Sequence, residues 1–483
     1  MATTIIRHTN RWSVPALTGA ALVATAIIAI TKSHLVDVTM IAGDLLFFAA
    51  LRYTRWRGST STSTSHTDPT APDSKSLPLR RHPAIELLLY LSPVIFLGIA
   101  YPLIAGRISS DHIGGVPLTT LLLGSSVTVP WLTQAVCLPL YKAIAAQIAD
   151  GDPHRLRDRV CDVWPSAFLR SLPTVVVFAI PVEIATRWSI TALAVYVSLC
   201  VLYVAFAQSL ILSIVLRDRL LWAFAWGSLA VTLLIAPSLW FLPPLIAIGT
   251  QLIPLRKHLY RMTRRQPIER GEVFVDLVRG LLLGSVLWAD KLLLFVKDGS
   301  HFAVTAIFIG LLPAVLAYNY YFVRLAPQFD SHVGDLRAAM EEAAHESLNA
   351  HSSAVLRYVA YSLNRTGLAG ASLVLLITAL TGLVDPSSLA LVATVAAASW
   401  LFMMTTLACY KLDYIGQRFT AQFYSGLHLV GCFIVFSVVA IGPSLYLWLI
   451  AIDTIIFARA LYSVNAHWRS SEYNLFWRHA TAW

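Results

Sequence analysis

The chain has 483 residues, of which 57% are hydrophobic and only 13% charged, with a mean hydropathy of +0.67. A soluble domain carries about 25% charged residues, so a fold clothed in water is excluded. Its five cysteines are far apart and form no CxxC or Cys/His cluster, which excludes a disulfide framework or zinc site, and the net charge of +10 is explained by loops rather than by nucleic acid.

Apolar runs of about 20 residues, the length needed to cross roughly 30 Å of hydrocarbon, recur along the chain. The first two, 13–31 and 35–52, follow Arg7 and Arg11 and predict a retained N-terminal transmembrane hairpin over 1–52, not a cleaved leader. Residues 53–83 include RGSTSTSTSHTDPTAPDSKS, which buries too little apolar surface to order itself and reads as a flexible Ser/Thr/Pro-rich cytoplasmic linker. Six spans follow at 84–106, 116–141, 164–186, 189–215, 220–237 and 239–255, a first six-helix bundle over 84–255. A basic cytoplasmic connector, 256–272, carries Arg256, Lys257, Arg261, Arg264, Arg265 and Arg270. It reads as a topology anchor that touches anionic lipid.

The second bundle, 273–466, has spans at 273–296, 301–324, 357–384, 387–409, 421–441 and 443–463. Between its second and third spans, 328–356 repeats Val333, Leu336, Met340, Ala343/Ala344 and Leu348 at helical spacing, with Asp335, Arg337, Glu341 and Glu342 on the other faces. This predicts an amphipathic cytoplasmic helix, either a connector or a docking surface for a cytoplasmic protein. Residues 467–483 form a cytoplasmic tail. The expected fold is therefore an all-α polytopic membrane protein of about fourteen transmembrane helices.

Orientation follows from the basic residues. With the N-terminus cytoplasmic, most of the 36 Lys and Arg fall on inner loops and the C-terminus is cytoplasmic too. Each bundle has a long inner segment after its second span (142–163 and 327–356) and a short one after its fourth (217–219 and Lys411 to Arg418). That shared grammar predicts a parallel repeat about an axis along the membrane normal, as in several transporter folds.

Asp290 and Lys291 stand side by side in GSVLWADKLLLFVKDGS, roughly 8–9 Å inside the outer boundary at about 1.5 Å per residue. A charge at the bilayer centre costs about 2.5–3.5 kcal/mol on insertion scales. Neighbouring helix residues point about 100° apart, so the pair is not expected to neutralise itself, and at least one member must face another helix or a wet cavity. Either the pair lines a polar path or hinges two bundles, or Lys291 snorkels outward with Asp290 trailing. Arg279 and Arg365 are the candidate companions. Asp44, Glu183, Asp453, Arg279 and Arg365 are each read as close enough to a span end to reach water.

Trp288-Ala289-Asp290-Lys291 followed by Phe295 resembles the W-x-D-K-x-x-x-F signature of the PelG family, bacterial exopolysaccharide exporters of the MOP flippase superfamily. VPWLTQAVCLPLYKAIAAQIADGDPHRL, 129–156, is similar to that family's second core helix and inner loop. SSEYNLFWR, with Tyr473 and Phe476, resembles its closing Y-x-x-F. The likeness runs from about 84 to 478; the N-terminal hairpin and linker lie outside it, and Leu292 stands where the family has Trp. It implies two six-helix MOP/MATE-like bundles in the bacterial inner membrane. It also implies a path for an exopolysaccharide or lipid-linked glycan near Trp288, Asp290, Lys291, Arg279 and Arg365.

Catalytic patterns are sparse. Asp150-Gly151-Asp152 reads as a turn rather than a metal-holding D-x-D, and there is no GxxxxGK[ST] loop, HExxH or aspartate-rich pair. The expectation is a non-enzyme without cofactor or metal. It would export or flip a glycan by alternating access, with membrane lipids, the glycan and a glycosyltransferase as partners and no nucleic acid. The alternatives are a non-transporting scaffold of a polysaccharide synthase and a membrane transferase using isolated carboxylates. A transporter predicts a wet cleft between 84–255 and 273–463 with Asp290 or Lys291 facing it; a scaffold predicts a dry joint.

Overall fold

The computed structural model describes residues 83–264, 266–268, 270–299, 303–342 and 345–480. The expected hairpin at 1–52 and almost all of the linker fall outside them. A short helix, Pro83–Tyr90, leads into α1 (Ser92–Ile108), α2 (Leu118–Val136), α3 (Pro153–Thr186), α4 (Ile190–Ser209), α5 (Arg219–Ile235) and α6 (Leu242–Leu252). Then come α7 (Arg270–Asp298), α8 (Val304–Tyr320), α9 (His345–Val384), α10 (Leu389–Tyr414), α11 (Arg418–Val438) and α12 (Pro443–Trp468). Each coincides with one of the apolar runs between 84 and 463. Among the described residues, eight helices are long and apolar enough to cross a membrane, and the chain is a multi-pass membrane protein. One departure from an all-helical chain is a minimal hairpin, His112–Ile113 against Val116–Pro117. Gly114 and Gly115 turn it at φ 58° and 83°, a geometry that suits residues without a Cβ.

The helix starts follow from local chemistry. Asp152 precedes Pro153, accepts hydrogen bonds from the His154 and Arg155 amides, and starts α3; Ser189 caps α4 and Asp218 caps α5 in the same way. Gly442-Pro443 separates α11 from α12 because the proline ring pre-sets the first helical turn. Two helices run further than their apolar content suggests. α3 begins eleven residues before the predicted 164, and α9 twelve before 357. Polar residues extend a helix into water as readily as apolar ones do in lipid, so hydropathy marks the membrane portion and not the helix end.

The molecule is inside-out relative to a soluble protein. Leu383 is 83% exposed, Val438 80% and Ile190 79%, while Asp290, Lys291, His428 and Asp453 are each at most 1% exposed. Water would not tolerate such an apolar exterior; hydrocarbon does.

The same helix pairings occur in both halves. In α1–α6 the first helix packs on the fifth, the second on the third and fourth, the third on the fourth, and the sixth on the fourth and fifth; α7–α12 repeat each of these. Across the halves, α7 packs on α2 more extensively than on any helix of its own half. The surface helix Ala326–Glu342 buries Val333, Leu336 and Ala339, exposes Asp335 and Arg337, and lies against α9. Ala343 and Ala344 fall outside the described residues.

Candidate functional site

The joint between the halves is built on small residues. Gly280 and Gly284 lie one turn apart on the face of α7 that meets α2. A Cβ on Gly280 would overlap the Ala135 Cα, and one on Gly284 would come within 2.9 Å of the Gln134 Cβ. This small-xxx-small spacing lets two backbones approach where apolar burial supplies no drive, because lipid tails are as apolar as leucine. The approach is close enough for the Trp131 indole to donate to the Leu281 carbonyl at 2.8 Å. Further along, the Phe295 ring sits 2.8 Å from where a Gly124 Cβ would be.

Beside this crossing lies a closed cleft, too narrow for a water, lined by Gln134, Leu283, Gly284, Leu287, Trp288, Tyr318, Thr406 and Tyr410. Gln134 comes from α2, four lining residues from α7, Tyr318 from α8, and Thr406 and Tyr410 from α10, so the cleft belongs to both halves. The Tyr410 hydroxyl donates to Gln134 Oε1 at 2.7 Å and lies 3.3 Å from the Tyr318 hydroxyl. The lining is aromatic rings with neutral hydrogen-bonding groups and carries no full charge. With no room for a water it is a closed, dry seam, the joint expected of a scaffold rather than the wet cleft expected of a transporter, and neither Asp290 nor Lys291 faces it.

The end of the joint nearest the 256–272 connector is charged. Lys142, just beyond α2, reaches Glu272 at 3.2 Å and Asp276 at 3.7 Å on α7. Arg279 pairs with Asp413 on α10 and sits 4.0 Å from Asp276. Arg279 is thus committed to Asp413 and Asp276 and is no companion of Asp290. The connector docks on α3: Arg261 grips both Asp162 oxygens at 3.0 and 2.9 Å and Asp158 at 3.3 Å, and His258 meets Asp158 at 2.7 Å. The Asp162 carboxylate holds the Arg261 guanidinium well above its ordinary range. Part of the basic stretch read as a lipid anchor is therefore spent on protein. Asp150-Gly151-Asp152 is a turn, with Gly151 at φ 70° and Asp152 capping α3. The His154 amide holds the Asp152 carboxyl below the usual carboxylate range, so the cap is ionised at neutral pH.

Asp290 and Lys291 are placed differently from Trp288. Neither lines the cleft; both are buried inside the second half, among α7, α10, α11 and α12. The expectation that they could not meet each other is corrected. Lys291 Nζ lies 3.0 Å from Asp290 Oδ2, because a four-carbon stem spans the offset between neighbouring helix positions. The ammonium also donates to Ser399 Oγ at 3.1 Å and stands 5.3 Å over the Phe402 ring. The ammonium is thus shared between the Asp290 carboxylate and the Ser399 hydroxyl. Lys291 does not snorkel. Arg365 stands half-buried on α9, outside these pairs.

A second buried pair was misread in the sequence. Asp453 does not reach water: it is 1% exposed and accepts from His428 Nδ1 at 2.7 Å, while His428 Nε2 lies 3.3 Å from Cys432 Sγ. The signal was available. Asp453 is ten residues into α12, about 15 Å at 1.5 Å per residue, too deep for a short side chain to escape. Lys411 was not singled out either; it is buried, with its ammonium 3.0 Å from the Phe329 ring centre. Among the described residues no group of three or more His, Cys, Asp and Glu gathers to hold a metal.

No protein-family model matches the chain, and no curated protein is significantly similar to it. Among solved structures, the inward-facing conformation of a multidrug resistance MATE family transporter of the MOP superfamily is similar over 80% of this chain and 95% of that chain. The two share 10% sequence identity at a TM-score of 0.38. That degree of likeness carries no argument about function.

Proposed function

We propose that this multi-pass membrane protein is an exporter or flippase that moves an exopolysaccharide or lipid-linked glycan outward as α1–α6 and α7–α12 part and close. The observation that carries the reading is the cleft at the joint: Trp288, Tyr318 and Tyr410 with Gln134 and Thr406. Aromatic faces stack on the C–H faces of sugar rings, and neutral amides and hydroxyls exchange hydrogen bonds with sugar hydroxyls without holding them as tightly as charges would. The resemblance of Trp288-Ala289-Asp290-Lys291 and Phe295 to the exopolysaccharide-exporter signature supports the same substrate class. The closed cleft holds not even a water, so transport requires the halves to separate along the Gly280/Gly284 crossing. The ion pairs at the inner end of α7 are then the contacts that break and re-form as the inner mouth opens. Fourteen spans, with cytoplasmic termini in a bacterial inner membrane, complete the proposal.

The test is export by a strain carrying Trp288→Ala. Surface glycan is expected to fall at least tenfold and intracellular glycan to accumulate, with the protein present at native abundance. Normal surface glycan in that strain overturns the reading. Loss of glycan synthesis without intracellular build-up favours a synthase scaffold.

A further inference from the structure

We propose that Asp290, Lys291, His428 and Asp453 form a binding site for one proton, enclosed in the second half and separate from the cleft. The four side chains are 0%, 1%, 0% and 1% exposed. They converge on Phe402: the Lys291 ammonium stands 5.3 Å over its ring, and the His428 ring packs against it with centroids 4.9 Å apart. Each acid has one basic neighbour, Asp290 with Lys291 at 3.0 Å and Asp453 with His428 at 2.7 Å.

Charge counting carries the inference. Two carboxylates and one ammonium around a neutral imidazole sum to −1, and such an uncompensated charge is strongly disfavoured in a low-dielectric interior. One added proton brings the set to zero. Asp290 can carry it, since the Lys291 ammonium at 3.0 Å engages its Oδ2 and leaves Oδ1 free to take a proton; His428, between Asp453 and Cys432, can also carry it. A metal cation is the poorer occupant, because the Lys291 ammonium already stands beside Asp290 and repels a second cation.

The surroundings offer no other countercharge. The charges acting on Asp290 are Lys291 and His428. Cys432 on α11 and Tyr446 on α12 face the same space, the Tyr446 hydroxyl lacks a partner, and Cys409 on α10 lies near Asp453. α2, the helix most extensively packed on α7, carries no titratable side chain. α7 therefore presents two functions within a turn: Trp288 faces the cleft, and Asp290 and Lys291 face the proton site. Loading or unloading the proton changes what α7 can bury in the second half, and Trp288 moves with it. Use of the site to drive transport rests on the export reading; proton binding itself does not.

The experiment is a difference titration of the full chain, purified in lipid nanodiscs without glycan. It runs between about pH 5.5 and 9, where ordinary carboxylates and lysines do not change charge. Relative to the native chain, Asp290→Asn and Asp453→Asn are each expected to take up one proton fewer, because each removes the uncompensated charge. His428→Gln should keep the uptake, and Lys291→Met should add a proton. Equal uptake by the native chain and both Asp→Asn variants, each monodisperse by size exclusion, overturns the proposal. The measurement involves no glycan, so its failure leaves the export reading standing, and normal export by Trp288→Ala leaves this one standing.

Discussion

Lys291 has no route to water, so truncating it is a matter of stability before it is one of transport. Lys291→Ala strands the buried Asp290 carboxylate, whose ion-pair partner at 3.0 Å is the Lys291 ammonium. Breaking a buried pair by removing one partner costs about 3–5 kcal/mol. Abundance is therefore expected to fall together with export, whereas a pair lining open water would have lost export alone. The double variant Asp290→Leu/Lys291→Met removes both charges, and apolar replacements of buried pairs are often neutral or stabilising. It should restore abundance and keep the one-proton uptake, because Asp453 beside a neutral His428 still leaves the site at −1. Quantitative immunoblotting of membranes and thermal unfolding in detergent check this; a Lys291→Ala chain of native abundance and midpoint would contradict the buried pairing.

Among the helices, the crossing of α7 with α2 tolerates the least change. A Cβ at Gly280 meets backbone, the Ala135 Cα and the Gln134 carbonyl, which cannot swing aside as a side-chain tip could. Gly280→Leu should cost at least the 1–3 kcal/mol typical of overpacking, roughly. Gly271→Leu, with nothing near its Cβ direction, should be close to neutral. Unfolding of the two variants in one detergent measures the contrast, and equal midpoints would show that the close approach is not required. The connector makes a separate case. Asp162 is 3% exposed and depends on Arg261, so Arg261→Ala should release the 256–264 segment, read as faster trypsin cleavage there.

These elements also show what a sequence reader can and cannot see. The twelve helices between 84 and 463 were legible because hydrocarbon demands long apolar runs, and the glycines and prolines between them punctuate cleanly. The Ala326–Glu342 helix was legible from its period. Side-chain partners were not. Nothing in the order of residues says that Lys291 curls back onto Asp290, that Arg279 belongs to Asp413, or that Asp453 finds His428, because those choices are made by side-chain rotamers and by how the helices rotate against each other. The cleft was half legible: Trp288 stood out, but Gln134, Tyr318, Thr406 and Tyr410 are ordinary polar residues until four helices bring them together.

The two halves either move against each other or they do not, and the Tyr410–Gln134 contact lies where that can be decided. It joins α10 to α2 across the joint, hydroxyl to amide at 2.7 Å, beside Trp288. Cysteines at 134 and 410, in a background where the five native cysteines are replaced, can be bridged by a short bismaleimide. A rigid link at that point holds the seam closed whatever the ion pairs at the start of α7 do. If transport proceeds by separation of the halves, bridged protein should pass at least tenfold less glycan than the unbridged double variant, which controls for loss of the hydrogen bond. A longer, flexible bridge should return part of that activity, because it permits separation that the short one forbids. A scaffold with a fixed joint would be indifferent to either bridge. Undiminished export by quantitatively bridged protein would show that the seam is a packing contact and that the glycan passes elsewhere.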